Sequence, residues 1–379
     1  MKQLFPAGKP VSGSMLIGRR ELLDELENIL AIGQSVILAA PRRYGKTSIA
    51  LEILERFKRE GYFISSIDIF DMTDKRYLAE KIIESCLKNN PVRIEKYWKS
   101  LKSGALSVLS MLKFKPSNED IEVMLQLGKP STDEEKLIDD ALDFADRFCS
   151  RHKKNMVMFI DEFQEIAKIG GDALLKKMRS KFQRHKNIVY IFAGSQESLM
   201  TDLFKSKKHA FYRFGRFFEI SNILSDDFFP YILKSFKSVG IKIATASIDQ
   251  ILEITVGHPY YTQLLCQMIY INCLKSKKEI VENDGITLAQ EQIIEHELSF
   301  FDEIWGEIGN KKFARNILSL VAQGVSPYSI LGTTKENLAR ILADLVQYGY
   351  ISKQKSGKNI LYDFKDHFFK KYVLLKLEE

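Results

Sequence analysis

Apolar residues along the chain follow two rhythms, and the change between them divides it. In the first half, short unbroken apolar runs alternate with stretches in which apolar residues recur every three or four positions. Ser35-Val36-Ile37-Leu38-Ala39, Tyr62 to Ile69, Met156-Val157-Met158-Phe159-Ile160, Ile188 to Ala193 and the weaker Phe217-Phe218-Glu219-Ile220 read as five buried strands. Helices are predicted over Arg20–Ile32, where Leu22, Leu23, Leu26, Ile29 and Leu30 share a face and Gly33 ends the element, from near Gly45 to Glu60, and over Asp74–Leu87. Strands alternating with helices imply an α/β fold with a parallel sheet covered on both faces and ligands at the strands' carboxyl ends.

Residues 1–18, rich in Gly, Pro and Ser, read as an extended lead-in. Asn89 to Pro130 breaks the rhythm and reads as an insertion, with a helix over Ile94–Lys102 and a hairpin around Lys115–Asp120. Ser131 and Glu134 form a capping-box start for a helix reaching Arg151. After Ser221 the pattern is helical, over Asp226–Val239, Ile248–Val256, Pro259–Lys275 and Thr287–Ile304. From Lys311 it changes again: helix Lys312–Ala322, short helix Pro327–Leu331, helix Lys335–Tyr348, then a hairpin through Ser356-Gly357-Lys358-Asn359. That order is a winged helix-turn-helix. The expected organisation is a core over 1–222 with its insertion at 89–130, a helical lid over 223–306 and a winged helix over 307–379.

With 45% hydrophobic and 28% charged residues, the composition is that of a folded chain rather than a disordered one. No apolar run approaches the roughly 18 residues needed to span a bilayer, and the start lacks a signal-peptide core, so a cytoplasmic protein is expected. The four cysteines (Cys86, Cys149, Cys266, Cys273) form no C-x-x-C pair, which argues against zinc and for buried thiols. The formal net charge is +7, and between Lys311 and Glu379 twelve Lys or Arg face six Asp or Glu. That surplus favours an anionic partner for the C-terminal end.

Candidate chemistry lies where strands end. Ala40-Pro41-Arg42-Arg43-Tyr44-Gly45-Lys46-Thr47 fits the phosphate-loop pattern G-x-x-x-x-G-K-[ST] except at its first position, which a negative φ at Ala40 would make harmless. Backbone N–H groups and a helix N-terminus converge on phosphates in such a loop. Lys46 is expected to reach the terminal phosphates and Thr47 to offer its hydroxyl to Mg²⁺. Asp161-Glu162 ends an apolar strand, with Asp161 as the second Mg²⁺ group and Glu162 as the base for a water nucleophile. Ser195, ending the next strand, either contacts the γ-phosphate and water or merely caps a helix. No N-K-x-D sequence supports a guanine pocket.

These motifs, in order, resemble the archaeal-type ATPase family, a branch of the AAA+ and signal-transducing P-loop ATPases. The matching stretches are Ile17-Gly18-Arg19-Arg20-Glu21-Leu22, Pro41 to Ser48, Phe159-Ile160-Asp161-Glu162-Phe163-Gln164-Glu165-Ile166, Ala193-Gly194-Ser195, Phe214-Gly215-Arg216 and Gly257-His258-Pro259-Tyr260-Tyr261. The resemblance implies ATP as ligand, a five-stranded core, a helical lid and a C-terminal winged helix. It also places Ile17 and Gly18 beside the adenine, and Pro259 on a lid helix facing the nucleotide. Arg216 occupies the position of an arginine that can meet nucleotide phosphates, in cis or from a neighbouring subunit, with Arg213 as a competitor. Pro41, Arg42, Arg43, Tyr44, Gly45 and Ser48 complete the binding loop, Arg42 and Arg43 pointing their side chains away from the phosphates with no assigned role.

Three functions remain open on the sequence. One is an ATP-hydrolysing switch coupling nucleotide state to the winged helix. Another is a DNA-associated ATPase laid out like a replication initiator, with Thr333, Thr334, Lys335, Asn337, Arg340, Lys353, Lys355 and Lys358 as candidate DNA contacts. The last is a non-catalytic nucleotide-gated module, locked closed by ADP and opened by binding a protein partner, with a second copy of the chain as a possible partner.

Overall fold

The computed structural model describes residues 4–90, 112–116, 121–125, 134–356 and 359–378. Strands β1 (Val36–Ala39), β2 (Phe63–Asp68), β5 (Met156–Asp161), β6 (Ile188–Gly194) and β7 (Arg216–Glu219) form one sheet in the order β2-β5-β6-β1-β7, every pair parallel. Between β2 and β5 in the chain, β3 (Leu112–Pro116) and β4 (Ile121–Leu125) pair as the expected antiparallel hairpin. The expected helix over Ile94–Lys102 and the capping serine Ser131 lie outside the described residues.

Every residue of β1 and β5 is buried, because helices cover both faces of the sheet. Successive side chains of one strand enter opposite layers. Ile37, Met158 and Phe192 join the core under helices Lys75–Lys88, Glu134–His152 and Ile166–Phe182, while Leu38, Phe159 and Ile191 join that under Arg20–Ala31 and Lys46–Arg59. This is the three-layer P-loop fold. Because β6 runs between β1 and β5, its carboxyl end is inserted between the phosphate loop and the acidic pair.

The helical region differs from expectation at one place. The single helix expected over Thr287–Ile304 is two, Asn283–His296 and Leu298–Gly309, broken at Glu297 (φ −88, ψ 3). The periodicity runs through the break because both pieces bury apolar side chains on the same cluster; the bend positions Glu297, whose side chain is buried.

Beyond it, helix Ala314–Ala322, a short 3₁₀ turn Pro327–Ser329, helix Lys335–Gln347 and the hairpin β8 (Ile351–Ser356) and β9 (Asn359–Phe364) make the winged helix. A further helix, His367–Glu378, closes the chain. The dividing line expected at 306/307 falls within one continuous apolar cluster: Phe301 lies 5.6 Å from Phe369 and 5.5 Å from Tyr372, ring to ring. Among the described residues no helix is long and apolar enough to cross a membrane, and all four cysteines are free and buried.

Candidate functional site

β1 delivers the chain into the phosphate loop, and Gly45, in the left-handed region at φ 86, turns it into helix Lys46–Arg59. The first N–H groups of that helix have no intrahelical partner and face the space above the sheet. Ala40 is fully buried and is not among the residues with positive φ, so its methyl group costs nothing there.

Lys46 is buried, and its Nζ donates to the carbonyls of Ala40 (2.8 Å) and Pro41 (2.9 Å). Burial lowers its pKa, against the pull of Glu162 and Asp161. Thr47 Oγ1 donates to Asp161 Oδ2 at 2.7 Å. Burial raises the Asp161 pKa and the Glu162 charge adds to this, while the Thr47 hydrogen bond opposes it.

Glu162 sits at φ 49, ψ 43, unusual for a residue with a side chain, and its N–H donates to Asp161 Oδ1 (3.0 Å). Its Oε2 accepts from Ser195 N–H (3.1 Å), Ser195 Oγ (2.8 Å) and Gln164 Nε2. Burial pushes the Glu162 pKa up, but the donors at Gln164 and Ser195 and the charge of Lys46 outweigh it, and the net shift is downward. The carboxylate therefore stays ionised although it is half-buried.

A cavity of about 330 Å³ opens above the loop, within the usual size range of small-ligand sites. Its walls include Lys46, Thr47, Ser48 and Glu162 from the core and Ile17, Ile223, Phe228 and Pro259 around the lid. Gly18, at φ 63, lets the two sides close: a Cβ there would lie 2.5 Å from Ile223 Cγ2 and 2.9 Å from an Asp227 carboxylate oxygen. Pro259 opens helix Pro259–Ser276, whose N-cap is His258. The His258 ring is held neutral by burial and by the charge of Arg43, with its pKa lowered to about 3.

Loop side chains tie the core to the helical region. Arg43, at φ 70, turns from the loop so that Nη1 meets Glu297 Oε2 at 3.0 Å and its guanidinium lies 4.3 Å from the Tyr260 ring centre. Tyr44 packs edge-on to His258 at 4.5 Å. Arg42 lies over the Phe70 ring. Both arginines thus have contacts of their own, although each also lines the cavity.

Arg216 is not brought to the loop. Parallel register sets Arg216 beside Val36 and Glu219 beside Ala39, so the arginine lies three residues toward the amino ends of the strands, about 10 Å below the level of the loop. It is exposed and pairs with Glu25 at 2.6 Å. Arg213 has a left-handed backbone (φ 53), donates its N–H to the Phe204 carbonyl and lays its guanidinium over the Tyr212 ring.

Several contributors escaped the sequence reading. The lead-in is a strap: Phe5 is wholly buried against Tyr231 and Phe236 of the helical region, Pro6 to Val11 line the cavity, and Val11 N–H and Gly13 N–H donate to Ser48 Oγ (3.1 Å) and Glu52 Oε2 (2.8 Å) on the core. Its Gly and Pro content signalled only an extended chain. Gln164 and Glu297 were also missed; Gln164 stood inside the acidic motif, whereas nothing local marked Glu297.

Residues 16–265 match a family described as an ATPase domain predominantly from Archaea. The chain belongs to that family. A chain 24% identical to this one, covering 93% of it and 88% of the relative, is an uncharacterized HTH-type transcriptional regulator of Methanocaldococcus jannaschii. Among solved structures, the Walker-type ATPase of Pyrococcus abyssi superposes with a TM-score of 0.67 at 15% identity, over 98% of this chain and all (100%) of that one. The Aeropyrum pernix ORC2 protein, in complexes with ADPNP and ADP, gives 0.58 at 12% identity over 100% of this chain and 99% of that one. Membership of the archaeal ATPase family supports nucleotide binding by this chain, and the cavity above the phosphate loop is the candidate site for it. Its chemistry fits: a helix N-terminus and a buried ammonium for the phosphates, with a hydroxyl and a carboxylate oxygen side by side for a hard cation. No cluster of three or more metal-ligating side chains exists among the described residues.

Proposed function

We propose that the protein is a Mg²⁺-dependent ATPase that works as a conformational switch, with ATP held between the sheet and the helical lid. Lys46 binds the terminal phosphates, Thr47 and Asp161 hold the cation, Glu162 takes the proton of the attacking water, and Ser195 orients Glu162. A bound Mg²⁺ supplies neutralisation of charge on the phosphates. Ile17, Gly18 and Pro259 shape the base end. Arg216 has no part in the site of its own chain on this reading, and it could serve another copy only by giving up its pairing with Glu25.

The observation that carries the switch is that consecutive loop residues hold the lid. Arg43 reaches Glu297 at the lid's helix break, and Tyr44 packs on His258. Beside His258, Tyr261 donates to Asp366 at 2.6 Å and stacks on Phe368 at 4.4 Å, joining the lid to the last helix of the winged segment. A loop that changes shape around a γ-phosphate therefore acts on groups leading to the winged helix. Phosphate release by wild type and Glu162→Gln tests the enzyme: a loss of about 100-fold or more is expected on removing the base, and equal rates would remove the hydrolase reading.

A second reading, DNA contact, is favoured by Lys335, Arg340, Lys353 and Lys355, which stand exposed on the third helix and wing, and by the HTH-type name of the Methanocaldococcus relative. Duplex binding measured over a salt series is expected to weaken steeply as salt rises. Absence of binding at low salt would end it.

A further inference from the structure

We infer that Gln164 is a positioning residue that fixes the reactive orientation of Glu162; this rests on the reading of Glu162 as the general base. Gln164 is only 4% exposed, and its Nε2 donates to Glu162 Oε2. The same oxygen takes both Ser195 bonds, so all three donors converge on one carboxylate oxygen. Oε1 receives none of them, and the side chain lines the nucleotide cavity. One oxygen is clamped, and the other is left to accept a proton.

Two observations argue that the amide serves the carboxylate rather than the core. Its Oε1 is buried without any hydrogen-bond partner, an arrangement that costs free energy and is uncommon in folded proteins. Turning the amide over would set that oxygen against the ionised Glu162, so the orphaned acceptor follows from keeping the N–H group on the base. The chain also makes room for it. At Gly194 a Cβ would lie 2.3 Å from Gln164 Oε1, so a side chain there would displace the amide. Gly194 ends the strand that presents Ser195, and one turn of chain thereby supplies a donor and the space for another.

The test uses full-length protein with Gln164→Met, which keeps the volume and removes the donor, in the wild-type and Glu162→Gln backgrounds. Two quantities are read: kcat and KM with ATP and Mg²⁺, and the Gln164 side-chain amide protons of nucleotide-free protein by nitrogen-15 NMR. Gln164→Met is expected to lower kcat about tenfold or more with KM unchanged, and to lower the residual rate no further once Glu162 is replaced. One Gln164 amide proton is expected downfield and slow to exchange, and to lose both properties in Glu162→Ala. An amide proton that Glu162→Ala leaves unmoved, or an equal loss of kcat in both backgrounds, overturns the inference. If wild type releases no phosphate, the hydrolase reading fails alone and the amide proton still decides the clamp. Should Gln164→Met fail to fold, the comparison of wild type with Glu162→Ala carries the decision.

Discussion

His258 shows how one side chain can belong to a site without doing its chemistry. Its buried ring accepts the N–H of Tyr261 through Nδ1, so it caps the lid helix only while that nitrogen is unprotonated. Burial and Arg43 lower its pKa to about 3, below the usual value near 6.5. Between those values the unfolded chain binds a proton that the folded chain refuses. The stability from this group is therefore complete above pH 6.5 and lost as pH falls toward 3, by about 1.4 kcal/mol per unit at most. Melting curves at pH 7 and 5.5 should show a smaller loss for His258→Gln than for wild type; equal losses would remove His258 from the account.

At the scale of elements, the phosphate loop and the broken lid helix are held by one ion pair with unequal burial. Arg43 is 39% exposed and Glu297 only 5%. Taking away the arginine leaves a buried carboxylate with the Tyr260 hydroxyl as its hydrogen-bond donor and the His296 ring 4.0 Å away. A fully buried pair broken in this way costs about 3–5 kcal/mol; solvent at Arg43 reduces the expectation for Arg43→Ala to about 1–2 kcal/mol. Adding Glu297→Gln should recover most of that loss, since a neutral amide tolerates the site, without restoring the link between loop and lid. Denaturant melts of the two single variants and the double variant measure the coupling, and simple additivity would mean that the pair does not act as a unit.

Across the whole molecule, the lid and winged helix share one core while the ATPase sheet has its own two. Phe301 is fully buried where the two C-terminal segments meet. Phe301→Ala should cost about 3–5 kcal/mol and should release amide protection in helices 225–309 and 314–378 together. Release confined to one segment would show two independent bodies. The winged segment itself also touches the ATPase core through polar groups: Ser198 Oγ donates to Gln347 O at 2.8 Å, and Lys365 pairs with Glu197. Small polar contacts of this kind resist relative movement of the segments they join least.

Phosphate loop, acidic pair, five strands and the helix order of the winged segment were all legible in the residues, because each is a local matter: periodicity, a glycine at a turn, an apolar run ending in carboxylates. Ser195 was legible as a candidate for the same reason, but only strand order turned it from a possible helix cap into a donor to Glu162. What the tertiary structure alone decided depends on register and on contacts between distant segments. Parallel pairing put Arg216 at the amino end of its strand, away from the loop, Glu297 met Arg43 across 254 positions of chain, and the Gly- and Pro-rich lead-in became a wall of the cavity above the phosphate loop through the burial of Phe5. No local pattern encodes such partners, since the free energy that selects them is gained only once both surfaces are present and water has left the space between them.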